Sequence, residues 1–187
     1  MRIEGDTHGS NSFKRGIVFK NDAMERRKPI ISVIGGSNTA SPDDKRLAEE
    51  VGFLVARADA ILVCGGLNGV MEAASAGAKR GGGLTVGILP GSDPDEGNPH
   101  VDVPIVTAMS TARNAIVVRT ADAIIAIAGS YGTLTEMAYA FDLGKKVFGL
   151  RTWDLEKIGV PRDLFVPVKT PREAVERAIE EARRHAP

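Results

Sequence analysis

A glycine turn, Ala128-Gly-Ser-Tyr-Gly132, followed at once by Thr133-Leu-Thr-Glu136, is where this 187-residue sequence concentrates groups able to do chemistry. Its glycines, Gly129 and Gly132, let a backbone turn tightly and approach a ligand with no Cβ in the way. Ahead of it, Asp122 to Ile127 is an apolar run suited to a strand buried on both faces. Behind it, Leu134, Met137, Ala138 and Phe141 recur at helical spacing, and Gly144 is placed to end that helix in the left-handed conformation. Free N–H groups at a helix start, at the carboxyl end of a parallel strand, form a seat for phosphate. Two more glycine turns precede predicted helices in the same way: Gly35-Gly36-Ser37 and Gly65-Gly66-Leu67-Asn68-Gly69. Together the three turns predict an anionic, nucleotide-like small molecule as the partner.

Other chemistries lack their residues. The first turn reads Gly-Gly-Ser-Asn-Thr-Ala rather than G-x-G-x-x-G, and the second strand ends in Cys64-Gly65-Gly66 without an acid to hold a ribose. Both features argue against a nicotinamide dehydrogenase. No Walker A motif is present, and His8, His100 and His185 lack metal-ligand spacing, so no metal site is expected. The 24 basic and 24 acidic residues cancel, and no global field draws the chain to nucleic acid or anionic lipid. Cys64, the single cysteine, lies in an apolar run and reads as a buried core thiol, which suits a reducing cytoplasm. No apolar run reaches the roughly 18 residues of a membrane span, and the N-terminus has no signal core, so a cytoplasmic location is expected.

The elements that must position the turns follow from periodicity. Residues 1–28 read as a polar N-terminal extension with a weak candidate strand at Gly16 to Lys20. Its basic triplet Arg26-Arg27-Lys28 is either a solvated flank or a phosphate contact. Residues 29–187 read as one domain, with strands at Pro29–Ile34, Ile61–Cys64, Leu84–Leu89, Ile105–Thr107, Asp122–Ile127, a run ending at Leu150, and Leu164–Val168. The last strand carries Pro167 and is predicted to lie at an edge. Ser41-Pro-Asp-Asp44 and Thr170-Pro-Arg-Glu173 are capped helix starts, Gly81 to Gly83 stops a helix, and Met109 to Thr120 reads as another helix. The polar loop from Pro90 to Pro104 reads as a lid or rim. Strand–helix alternation predicts an α/β fold: a doubly wound parallel β-sheet flanked by helices, Rossmann-like and single-domain.

The ordered motifs resemble a family. Ala128-Gly-Ser-Tyr-Gly-Thr-Leu-Thr-Glu136 is similar to the P-G-G-x-G-T-x-x-E signature of the Lonely Guy proteins, once described as lysine decarboxylases. Gly65 to Met71 resembles their second glycine turn, and Met109-Ser-Thr-Ala-Arg113 the segment bearing their arginine. Thr107 to Asn114 reads like the branch that also contains molybdenum cofactor carriers. The resemblance implies a pocket in which Gly129, Ser130, Gly132 and Thr133 hold the phosphate of a nucleoside monophosphate or of the molybdenum cofactor. It also implies that Arg113 and Glu136 support cleavage of an N-glycosidic bond in active members, with no cofactor required. A homodimer or homotetramer, with the helices near Arg113 and Glu136 at the contact, is a further implication. Ala128 and Ser130 replace the proline and second glycine, and Asn114 stands where the enzymes usually carry lysine. These departures leave phosphate binding in place and set a non-catalytic carrier beside a phosphoribohydrolase as the two readings.

Several residues carry a plainer reading as well. Thr133-Leu-Thr-Glu136 is itself a capping-box sequence, so Glu136 is either a catalytic carboxylate or a helix-starting device. Asn68 either caps the second helix or faces the ligand, and Tyr131 either stacks on a base or packs on a partner subunit.

Overall fold

A computed structural model describes residues 27–153, 155 and 159–184. The candidate strand at Gly16 to Lys20 and Arg26 lie outside these residues. The elements run β1 (Ile30–Gly35), α1 (Pro42–Arg57), β2 (Ile61–Cys64), α2 (Val70–Arg80), β3 (Thr85–Leu89), β4 (Val103–Val106), α3 (Asn114–Thr120), β5 (Ala123–Ile127), α4 (Tyr131–Asp142), β6 (Val147–Leu150), β7 (Phe165–Val168) and α5 (Pro171–Arg184). Short 3₁₀ turns occupy Pro94–Glu96 and Ser110–Arg113. The helix expected from Met109 to Thr120 is thus a 3₁₀ turn leading into a shorter α-helix.

All strands pair in parallel, in the order β4-β3-β2-β1-β5-β6-β7. The doubly wound sheet is therefore as the alternation predicts, and Pro167 lies on an edge strand. Strand order reverses between β1 and β5, where Ile31 pairs with Ala123 and Gly35 with Ile127. Crossovers leave that junction toward opposite edges, opening a crevice beyond the carboxyl ends of β1 and β5.

Side chains of a strand alternate between faces, so each central strand feeds two cores. Ile31, Val33, Ile125 and Ile127 pack with α1, α2 and α5. Ile34, Ile124 and Ala126 pack with Val117, Val118, Met137 and Ala140 of α3 and α4. Burying side chains of this size contributes about 1.5–3 kcal/mol each, which fixes the register of β1 and β5 and hence the positions of the turns that follow them.

Local signals set the helix ends. Ser41 caps α1: its hydroxyl accepts from the Asp44 N–H at 3.2 Å, and Asp44 accepts from the Ser41 N–H at 3.0 Å. Thr170 likewise accepts from the Glu173 N–H at 3.1 Å at the start of α5. Gly144 follows α4 with φ +66°, as its placement predicts. Arg27 and Lys28 settle at the opposite end of the sheet from the glycine turns. Arg27 donates to Asp122 at 2.8 and 2.5 Å, and Lys28 to Asp59 at 2.6 Å. This part of the basic triplet is a structural flank.

Candidate functional site

The three glycine turns converge at the carboxyl ends of β1, β2 and β5, and they use glycine for different reasons. Gly69 has φ +72°, and a Cβ there would run into the Ser37 and Gly36 carbonyl oxygens. The first and second turns therefore touch backbone to backbone, and the Val70 N–H donates to the Gly36 carbonyl at 2.9 Å. Ser37 donates its hydroxyl to Asn68, whose Nδ2 donates to Asn38 at 3.0 Å. Asn68 is thus not the cap of α2. Gly69 stands at the N-cap of α2, and Asn68 ties the first turn to the second. Gly35 packs on Val70 and the Ile127 carbonyl.

Gly65 is the bed for Arg113. The Arg113 guanidinium lies against its Cα, where any Cβ would collide with the Nη atoms. Arg113 comes from the 3₁₀ turn after β4 and is 6% exposed. Its Nε and Nη1 are sealed from solvent without an acceptor among the described residues. Glu136, on the inward side of α4, is 7% exposed. The two groups sense each other electrostatically, yet neither forms a direct ion pair with a described residue. Burial lifts the Glu136 carboxyl to about 7 against the opposing pull of Arg113, and burial also lowers the Arg113 pKa. Near neutral pH this carboxyl is therefore divided between its charged and neutral forms. Burial pushes the Cys64 thiol up, consistent with its expected place in the core.

The turn between β5 and α4 corrects one reading of Glu136. The helix begins three residues earlier than the Thr133–Glu136 spacing suggests. Ser130 is the N-cap, and Thr133, 1% exposed, accepts the Ser130 N–H at 3.3 Å. Glu136 lies one turn further in and takes no part in the capping box, so its carboxylate is not engaged as a cap. Thr133 Oγ1 accepts the Ser130 N–H, and the Gly129, Tyr131 and Gly132 N–H groups and the Ser130 hydroxyl donate to no described residue.

Strain gathers here. Ala128 has φ +49°, and Ala108 and Ser110, flanking Met109, have φ +52° and +51°. A non-glycine residue in this region costs of order 1–2 kcal/mol. The surrounding packing holds both the β5–α4 turn and the Arg113 segment in these shapes. Tyr131, at the start of α4, is 86% exposed, and Met109, ahead of the Arg113 turn, is 46% exposed. Among the described residues no cluster of His, Cys, Asp and Glu could hold a metal ion, and no helix is long and apolar enough to cross a membrane.

The model of the SLOG cluster4 family matches residues 28–175. The chain belongs to the SLOG cluster4 family. The SLOG match begins two residues before β1 and spans every glycine turn. An uncharacterised protein of Archaeoglobus fulgidus is 45% identical over 121 residues, 65% of this chain and 79% of that one. Among solved structures, the molybdenum cofactor binding protein of Rippkaea orientalis is 38% identical with a TM-score of 0.76. That match covers 81% of this chain and 96% of the other. The molybdenum cofactor carrier protein of Chlamydomonas reinhardtii is 33% identical with a TM-score of 0.78, over 83% of this chain and 98% of that one. The resemblance drawn from the motifs is thereby shown, and the SLOG fold and the doubly wound sheet agree.

One residue of the cleft was not singled out as a site residue from the sequence. Asn114, 8% exposed, follows Arg113 and points its Nδ2 toward the β5–α4 turn. Two sequence signals mark it: its adjacency to Arg113, and its place where the Lonely Guy enzymes usually carry lysine.

Proposed function

We propose that this protein binds a phosphorylated small molecule on the β5–α4 turn, and that it holds the molybdenum cofactor as cargo rather than hydrolysing a nucleotide. The observation that carries the reading is the likeness to the Rippkaea orientalis molybdenum cofactor binding protein, which covers 81% of this chain and 96% of that one. The chemistry of the seat supports it. The phosphate sits on the first N–H groups of α4 and the Ser130 hydroxyl, with Gly129 and Gly132 giving backbone access, while the positive end of the helix favours the anion. The Arg113 cation lies nearby in a poorly solvated position, where its field is screened little.

Glu136 sets the pH dependence. An anion beside it favours its neutral form, so binding draws in a proton near pH 7 and weakens as pH rises past that point. The same carboxyl supports the second reading. A group poised near neutrality beside an arginine suits general acid–base cleavage of an N-glycosidic bond, with the carboxylate offsetting charge that develops on the sugar. Two features speak for cargo over turnover: two Arg113 nitrogens are sealed from the cleft, and Ser130 brings a side chain where the hydrolase signature has none.

The subunit contact of this reading draws on the exposed side chains of Tyr131 and Tyr139 on α4 and of Met109 ahead of the Arg113 turn. Incubation with adenosine 5′-monophosphate separates the readings. Cargo binding leaves the nucleotide intact and yields protein that co-purifies with molybdenum and a fluorescent pterin. Release of free adenine at a rate abolished by Glu136→Gln establishes the hydrolase instead.

A further inference from the structure

Gly132 is a glycine that the protein's own packing does not demand. Its φ is not positive, and a Cβ there would meet only Asn114 Nδ2 at 3.9 Å and Ser130 Oγ at 4.0 Å. Gly129, by contrast, has φ +137° and presses on Thr133. The missing side chain at Gly132 therefore keeps a space open above the first turn of α4, bordered by two polar atoms.

One of those atoms has no other task. Asn114 is 8% exposed, and its carboxamide makes no hydrogen bond to any described residue. Buried carboxamides nearly always find partners, because a buried donor left unpaired is costly. Unlike the sealed nitrogens of Arg113, the Asn114 amide is not enclosed. It borders the space over Gly132, where a ligand oxygen can complete it.

We propose that Asn114 is a ligand-contacting, selectivity-setting residue whose Nδ2 donates to an oxygen of a phosphomonoester seated over Gly132. The inference rests on the phosphate-binding reading above and adds a donor from outside the glycine turn. Its physical basis is the charge of the cleft. When Glu136 is ionised its charge offsets that of Arg113, and the oxyanion then depends on neutral donors. A carboxamide supplies one without adding charge, whereas an isosteric carboxylate would face the phosphate with a like charge.

The test is a titration with inorganic phosphate followed by ¹H,¹⁵N NMR on the wild-type protein, with the Asn114 side-chain NH₂ signals identified by their loss in Asn114→Ala. The Gly132 backbone N–H and the Asn114 NH₂ pair should shift with one common midpoint. Asn114→Ala should weaken phosphate binding about tenfold, the effect of one hydrogen bond to a charged group, and Asn114→Asp about a hundredfold. Gly132→Ala should weaken it at least about tenfold with no loss of thermal stability, since alanine is the better helix former. This last variant keeps the test open if an Asn114 variant fails to fold. Shifts at Gly132 without shifts at Asn114, or binding by Asn114→Asp or Gly132→Ala equal to wild type, overturn the role of Asn114 and leave the phosphate seat standing. No shift at either group overturns the seat as well.

Discussion

Between α1 and α2, on one face of the sheet, glycine closes space; at the start of α4, on the other, it leaves space open. A Cβ on Gly52 would drive into the Ala74 carbonyl oxygen, and one on Gly77 into the Glu49 carbonyl oxygen. The two helices cross through reciprocal backbone contacts, with Val51, Val55, Ala74 and Ala78 filling in around them. At the start of α4 a Cβ on Gly132 would touch nothing closer than 3.9 Å, and the polar groups Arg113, Asn114 and Glu136 stand buried without hydrogen-bonded partners among the described residues. The first arrangement maximises contact and stability. The second leaves donors and charge uncompensated, which is the state of a surface that something else completes.

That contrast can be broken at its strong end first. Gly52→Ala or Gly77→Ala should each destabilise the fold by about 2–3 kcal/mol, because a backbone carbonyl cannot yield as a side chain can. Urea unfolding measures this, and a neutral result at both positions would show that the helices can slide apart cheaply. Next in size is Glu136→Gln. The folded-state pKa of about 7 lies above the ordinary 4.5, so the native state binds more protons between these values and loses stability as pH rises through them. The glutamine variant should therefore match wild type near pH 4 and exceed it above pH 7 by roughly 2–3 kcal/mol. Unfolding curves that stay parallel at pH 4 and pH 8 would mean the carboxyl is ordinary. A smaller effect is expected at Lys145, whose Nζ donates to the Val118, Arg119 and Ala121 carbonyls at 3.0, 2.8 and 2.6 Å at the end of α3. Lys145→Met should cost about 1–2 kcal/mol in stability and leave ligand binding unchanged, since this end of the sheet lies away from the turns. The smallest is Ser41→Ala, about 1 kcal/mol from the lost cap.

What the sequence discloses divides along the same line. The strands, the parallel winding, the Ser41 and Thr170 caps and the edge position of Pro167 follow from periods and neighbours a few residues away, and the structure has each of them. Gly52 and Gly77 carry no such signal, because their reason is a carbonyl on another helix about 25 residues distant in the chain. Glu136 shows how a local rule can match in the wrong register. Thr133-Leu-Thr-Glu136 fits the capping pattern, yet Ser130 three residues earlier has already started the helix. The convergence of the three turns was legible. The bed that Gly65 makes for Arg113, and the unpaired amide of Asn114, required the turns to be seen in contact.

The most direct measurement is retention of cargo. Molybdenum cofactor released from a molybdoenzyme is mixed with the protein, the mixture is passed through gel filtration, and molybdenum is counted per chain for wild type and Gly132→Ala. Stoichiometric retention by wild type, largely lost in the equally stable alanine variant, is the expected result. No retention by wild type, or equal retention by both proteins, would contradict a cargo site over the β5–α4 turn.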